Sequence, residues 1–216
     1  MAKSLGRYIP ELLVLKITLQ DSDPKIWRRV AVDSGLTLYE LHYVIQTVFP
    51  WNDSHLYQFH VPPGGKLTRQ AMIAAKRYHT HPPDPFFDDW DNAENADEVM
   101  IGRIFTDDCK QIIYEYDFGD SWHHLVKLEK RTPNPTPNQP PVCLNGQNAA
   151  PPDDCGGIYG YYRWLAALQD SSDENHDDAL EWFPEDFDPT AFDPDAATKE
   201  LAILFQSPPK RPRKGK

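Results

Sequence analysis

Nowhere in its 216 residues does the chain carry a run approaching the ~20 apolar residues that cross a bilayer. The longest apolar stretch near its start, residues 12–15, is also too short for the core of a secretion signal. A cytoplasmic protein with no membrane association is expected. Cysteine is scarce: Cys109, Cys143 and Cys155 are all there is. Three cysteines are too few and too uneven for the disulfide framework of a small secreted domain. Basic residues fall short of acidic ones, 22 against 33, for a net charge of −11. Five of the basic residues lie in the last seven positions, 210–216, without an acid among them, so residues 1–209 carry −16. A body that acidic repels a phosphate backbone. Nucleic acid is left with the tail 210–216 as its contact, and protein partners are expected instead.

What is present suffices for a globular core. Apolar residues make up 40% of the chain and include ten Tyr, ten Phe and six Trp. A chain of this length can bury roughly 70% of its unfolded surface. Residues 12–19 and 26–32 read as antiparallel strands around the turn Asp21-Ser22-Asp23-Pro24. Thr37 and Glu40 form a capping box, Leu38, Leu41, Ile45 and Val48 follow at helical spacing, and Pro50 stops the helix. Residues 56–61 alternate as a strand.

Residues 62–100 contain Pro/Gly breakers, and seven acids with no Lys or Arg between positions 84 and 98. An irregular acidic insertion is expected there, with a short helix near 70–77. Residues 111–118 and 121–129 read as two strands joined tightly at Gly119-Asp120. Five prolines make 133–141 a stiff connector. Residues 157–168 read as a helix capped by Asp153 or Asp154, and Asp193-Pro194 opens a last helix reaching about Phe205. The pattern predicts a single α+β domain over 1–206, a mainly antiparallel sheet with helices packed on one face or end, and a disordered basic tail over 207–216.

Three segments carry a resemblance. One is Pro24-Lys25-Ile26-Trp27-Arg28-Arg29-Val30, continued by Thr37-Leu38, Leu41-His42, Trp51 and His55-Leu56. The second runs Tyr114-Glu115-Tyr116-Asp117-Phe118-Gly119-Asp120-Ser121-Trp122-His123-His124. The third is Pro151-Pro152-Asp153-Asp154-Cys155-Gly156-Gly157 with Gly160-Tyr161. Together they resemble the Ri-plasmid open-reading-frame-three-like family over roughly residues 10–205, the insertion and the tail apart. The resemblance implies a compact α+β fold and a setting among plasmid or transposon passenger proteins, often labelled resolvase-like. It implies no activity, and the sequence holds no nucleophilic serine backed by an arginine cluster.

Alternation places Trp122, His124, Val126 and Leu128 on one strand face. Asp117 and Asp120 flank the adjoining turn. Either they tune or share a metal with His124, or Asp120 bonds turn amides while His124 is a satisfied core residue. His42, beside the first helix's apolar stripe, and His55, after Trp51-Asn52-Asp53, could converge with His124 on a metal. Cys143 and Cys155, twelve residues apart, are zinc ligands or ordinary buried thiols. The sequence names no cofactor, and zinc or another divalent ion is what these residues could hold.

Trp27-Arg28-Arg29 is a basic-aromatic contact or a strand with Trp27 inside and its arginines paired to acids. With Trp122, these residues are the candidate interaction surface. Two functions remain open: a non-enzymatic accessory or interaction module tied to plasmid or transposon functions, or a metal-dependent phosphoester hydrolase using Asp117, Asp120, His124, His42 and His55. The pattern leaves open whether the protein is an enzyme.

Overall fold

A computed structural model describes residues 10–80, 93–183 and 187–207. In chain order the elements are β1 (Glu11–Leu19), β2 (Trp27–Asp33), α1 (Leu38–Val48), β3 (Tyr57–Val61), α2 (Arg69–Ile73), β4 (Lys76–His79), β5 (Glu94–Asn95), α3 (Ile101–Ile104), β6 (Gln111–Tyr116), β7 (Trp122–Pro133), β8 (Val142–Gln147), α4 (Gly157–Gln169), α5 (His176–Trp182) and α6 (Pro194–Gln206). The strands form one sheet in the order β5-β4-β3-β6-β7-β1-β2-β8. Its neighbours are antiparallel except for the short parallel pair β4–β5. This is the expected α+β architecture.

Local chemistry explains the elements. Thr37 Oγ1 accepts from the Glu40 amide at 3.2 Å, and Glu40 Oε2 accepts from the Thr37 amide at 2.7 Å. That reciprocal pair starts α1 where the sequence places it. Alternation in β1 buries Leu13, Leu15, Ile17 and Leu19, and in β7 it buries Trp122, His124, Val126 and Leu128. Both rows join Leu38, Leu41, Val44, Ile45 and Val48 of α1 in one core. The other face of the central strands carries Lys16, Trp27, Arg29 and His123, which stay partly exposed.

The parity of β2 reverses one expectation. Val30 and Val32 must face the core, so period-two alternation sends Arg28 inward with them and turns Trp27 and Arg29 outward. Arg29 Nε pairs with Glu129 Oε2 at 2.6 Å, while Lys16 and Arg29 lie over the Trp27 ring. Arg28 is 1% exposed and has no carboxylate contact among the described residues; its Nε donates to Val48 O, and its Nη1 to Trp27 O and Gln147 O. Its guanidinium lies between Phe49 and Phe192, 4.9 and 3.7 Å from their centroids. Burial pulls its pKa down to about 10, with the Cys143 thiol opposing, so it stays charged at neutral pH. Arg28 is therefore a structural clamp and no surface contact. Trp122, also proposed as a contact, is 1% exposed against Trp51.

Other stretches also differ. Where it is described, the span 62–100 adds β4 and β5 to the sheet, with Tyr78 of β4 and Ala96, just after β5, buried. Lys76-Arg77-Tyr78-His79 lacks the β-branched run that announces a strand, and its pairing with β3 (Phe59 opposite Tyr78) makes it one. The short helix expected near 70–77 occupies Arg69–Ile73. The β6–β7 connection is a five-residue loop, 117–121, with Asp117 and Ser121 at positive φ. Edge strand β8 and helix α5 had no separate signal in sequence. The basic tail 210–216 and the acids at 84–91 lie outside the described residues.

Arg28→Met should leave three carbonyls without a donor and lower unfolding stability by about 3 kcal/mol. Arg28→Lys should recover less than half of that, because an ammonium on a flexible stem cannot span the same acceptors. Urea unfolding monitored by tryptophan fluorescence checks both.

Candidate functional site

The segment between α1 and β3 joins the core to the rim of the sheet. At its start the Trp51 amide donates to Gln46 O, and the Trp51 indole donates to Pro151 O at 2.9 Å. Asp53 stands at φ 53, its amide bonded to Gln46 Oε1 and its carboxylate 2.8 Å from His42 Nε2. Ser54 then bonds twice: its amide donates to Tyr116 Oη at 3.1 Å and its hydroxyl to Asp153 Oδ2 at 3.2 Å. His55 is thereby aimed at the loops 117–121 and 153–157.

Around His55 the carboxylates gather. Asp117 Oδ1 lies 3.8 Å from Nδ1, Asp153 Oδ1 lies 4.0 Å from Nε2, and Asp154 Oδ1 lies 2.9 Å from Nε2. His55 Nε2 thus has the Asp154 carboxylate beside it, while Asp153 Oδ1 is a buried atom without a hydrogen-bond partner among the described residues. One ligand atom from each of His55, Asp117 and Asp153 lies within 4.8 Å of the other two. Among the described residues this is the one such group of three, and it contains no cysteine.

The loops that hold these carboxylates are unusual in backbone. Asp53, Asp117, Ser121 and Asp154 all adopt positive φ, a region that side chains with a Cβ seldom occupy. Asp117 is held by its own loop, its Oδ1 accepting the Gly119 amide at 2.9 Å. Tyr116 Oη donates to Asp153 Oδ2 at 3.2 Å. Asp120 Oδ2 instead accepts the Gly156 amide at 3.0 Å, just before α4. Gly157 has φ 68, and a Cβ there would stand 2.6 Å from Asp120 O, so glycine lets the two loops touch.

Partial desolvation lowers the His55 pKa, but the Asp154 contact and the charges of Asp117, Asp154 and Asp153 outweigh it and leave it raised. Four acids, Asp117, Asp120, Asp153 and Asp154, therefore sit on the two loops facing one imidazole.

Of the residues singled out in sequence, the structure brings together His55 and Asp117. His42 lies in the core, stacked on Tyr57 at 3.8 Å and bonded at Nδ1 to Tyr114 Oη at 2.7 Å. Desolvation lowers its pKa against the pull of Asp53. His124 is fully buried with Nδ1 on Trp122 O, and desolvation lowers its pKa to about 3. Its strand face points it at Phe49, Trp51 and Tyr114, away from Asp117 and Asp120. Cys143 is buried beside Arg28, and burial pushes the Cys155 thiol up to about 12. All three cysteines are unpaired. Asp153 and Asp154 cap no helix, since the residue preceding α4 is Gly156. Their adjacency to Cys155-Gly156-Gly157 hid a role that their charge alone could have suggested.

The fold and this rim define a one-sheet α+β domain with a histidine–carboxylate cluster at the junction of three loops. Residues 11–196 match the profile of the plasmid pRiA4b ORF-3-like protein family, and the chain belongs to that family. The match runs through residues 62–100. The uncharacterized protein y4hQ of Sinorhizobium fredii is 32% identical over 176 residues, covering 81% of each chain. A crystal structure of a protein of unknown function, MM3350 of Methanosarcina mazei Go1, superposes with a TM-score of 0.74 at 32% identity, covering 87% of this chain and 98% of that one. Among the described residues no helix is long and apolar enough to cross a membrane.

His124 is neutral in the fold but protonated in the unfolded chain below its usual 6.5, so its contribution is complete above that pH and is lost as pH falls toward 3. His42 acts in the same direction. Unfolding stability should drop by about 1 kcal/mol or more between pH 6 and pH 5. Urea titrations at the two pH values measure it; an unchanged midpoint would contradict the burial of these imidazoles.

Proposed function

We propose that the protein binds a divalent cation through His55, Asp117 and Asp153 and uses it to hydrolyse phosphoesters. The observation that carries this reading is the convergence of one ligand atom each from His55, Asp117 and Asp153 within 4.8 Å, with Asp153 Oδ1 buried and without a hydrogen-bond partner among the described residues. One imidazole and two carboxylates suit zinc, manganese or iron. Three protein ligands on a partly open rim leave coordination positions for water and substrate, as catalytic rather than structural sites do. His55 keeps 27% of its side-chain surface exposed and Asp154 keeps 62%.

A cation held there would supply Lewis acidity, and Asp154, outside the ligand set, would be the carboxylate to take a proton from the water it activates. That water would attack phosphorus, the ester P–O bond would break, and the proton would pass to the departing alkoxide. The unpaired, buried cysteines support residence in a reducing, cytoplasmic setting.

A second reading is a non-enzymatic accessory module of plasmid or transposon proteins. It is favoured by the partly exposed sheet face where Lys16 and Arg29 stack on Trp27. That face suits a protein partner with acidic and aromatic groups.

Calorimetric titration of the metal-stripped protein with Mn²⁺ and Zn²⁺ tests the first reading. One cation per chain is expected, with affinity reduced at least tenfold in Asp153→Asn and Asp117→Asn and unchanged in His123→Gln on the opposite sheet face. Equal binding by all variants would refute it. Cation binding without phosphate release from simple phosphomonoesters would leave the module reading standing.

A further inference from the structure

We infer that the cavity beside this cluster receives a nucleoside monophosphate, an inference that rests on the cation reading above and names its substrate class. The cavity measures about 430 Å³ and lies between the start of α4 and α5. That volume falls within the usual range for small-molecule sites. Asp154 lines it, and the same carboxylate touches His55 Nε2 at 2.9 Å, so the cavity adjoins the cluster through Asp154. Tyr159, Arg163, Trp164 and Trp182 line the remainder.

Each wall contributes a distinct chemistry. Trp164 is fixed, its indole Nε1 donating to Cys155 O at 3.1 Å. The Trp182 ring lies 6.2 Å from it, tilted by 30°. Tyr159 is 87% exposed, an aromatic ring with most of its surface open to solvent. Gly160 can bear no side chain, because a Cβ would stand 2.1 Å from Cys155 O, so α4 packs directly on the loop at the cavity floor. These planar faces suit a heterocyclic base, for which aromatic stacking is sequence-tolerant.

The Arg163 guanidinium lies 4.1 Å over the Trp164 ring, at the surface of the cavity. Arg163 and a cation bound beside His55 would be two attractions for one phosphate, offsetting the Asp154 carboxylate on the cavity wall; the start of α4 already has Asp120 on its Gly156 amide. Together with the aromatic walls they call for a ligand that is anionic at one end and flat at the other. A nucleic-acid strand fits less well. Asp177, Asp178 and Glu181 of α5 would repel a continuous phosphate chain, and the whole molecule carries −11. A mononucleotide brings only the phosphate that the cation and Arg163 neutralise.

The test is a calorimetric and tryptophan-fluorescence titration of the full-length, Mn²⁺-loaded protein with adenosine 5′-monophosphate, alongside adenosine and ribose 5-phosphate. Saturable quenching by the nucleotide is expected, with each half-molecule binding at least tenfold more weakly. Arg163→Gln should weaken the nucleotide at least tenfold, and Tyr159→Ala several-fold, with Mn²⁺ affinity unchanged in both. Both side chains are exposed, so neither change endangers folding. Mn²⁺ binding without nucleotide binding, ribose 5-phosphate binding as tightly as the nucleotide, or unaltered nucleotide affinity in both variants would overturn the inference while sparing the cation site. Absence of Mn²⁺ binding, measured first and without nucleotide, would overturn the reading on which it rests.

Discussion

The hydrogen bond between His42 Nε2 and the Asp53 carboxylate, 2.8 Å long, is the constraint on which the rim depends. With its pKa lowered, His42 is neutral; Nε2–H donates to Asp53 and Nδ1 accepts from Tyr114 Oη. Tyr114 Oη in turn accepts from Gln46 Nε2, and Gln46 Oε1 accepts the Asp53 amide. The ring closes on itself, so each of these polar atoms has a partner. It fixes Asp53 in a left-handed conformation and so sets the direction in which Ser54 and His55 leave α1. The buried core thus dictates the orientation of a solvent-facing imidazole two residues further along the chain.

Arg28 performs an equivalent task at the C-terminal end of α1. A guanidinium held by three carbonyls ties the C-terminal end of that helix to β2 and β8. A carboxylate partner would have neutralised the charge but could not have bridged three backbone segments. The two aromatic rings flanking it exclude water and offset part of the desolvation.

Much of this was legible in the residues. Thr37 and Glu40 announce α1, Asp193-Pro194 announces α6, and the alternation of Trp122, His124, Val126 and Leu128 gives the buried face of β7 correctly. These signals are local, governed by bonds or periods within a few residues. The charge of Arg28 points to the surface, whereas the parity that Val30 and Val32 impose sends it inward. A carboxylate just before a helix is so often a cap that Asp153 and Asp154 both read as one; the contacts of Asp153 with Ser54 and Tyr116 span 99 and 37 residues and leave no mark in the local pattern. His42 and His124 were grouped with His55 by chemistry, yet α1 and β7 aim both into the core. For the same reason β4 and β8 escaped notice, since pairing rather than composition makes them strands.

The strand order also governs how the chain assembles. Among the described residues β1 is the first strand in the chain, yet it sits in the interior of the sheet, paired with β2 on one side and with β7 on the other, where Glu11 meets Pro133. The β1–β2 hairpin can close early, but its second edge has no native neighbour until residues 122–133 emerge. At translation rates of roughly 5–20 residues per second that edge stands open for on the order of ten seconds. An unpaired edge rich in Leu and Ile is a template for strands of other chains. Pairings so distant in sequence also make refolding slow for a domain of this size. The strand order thus makes the time before the central ladder closes the stage at which the exposed β1 edge is open to pairing with other chains.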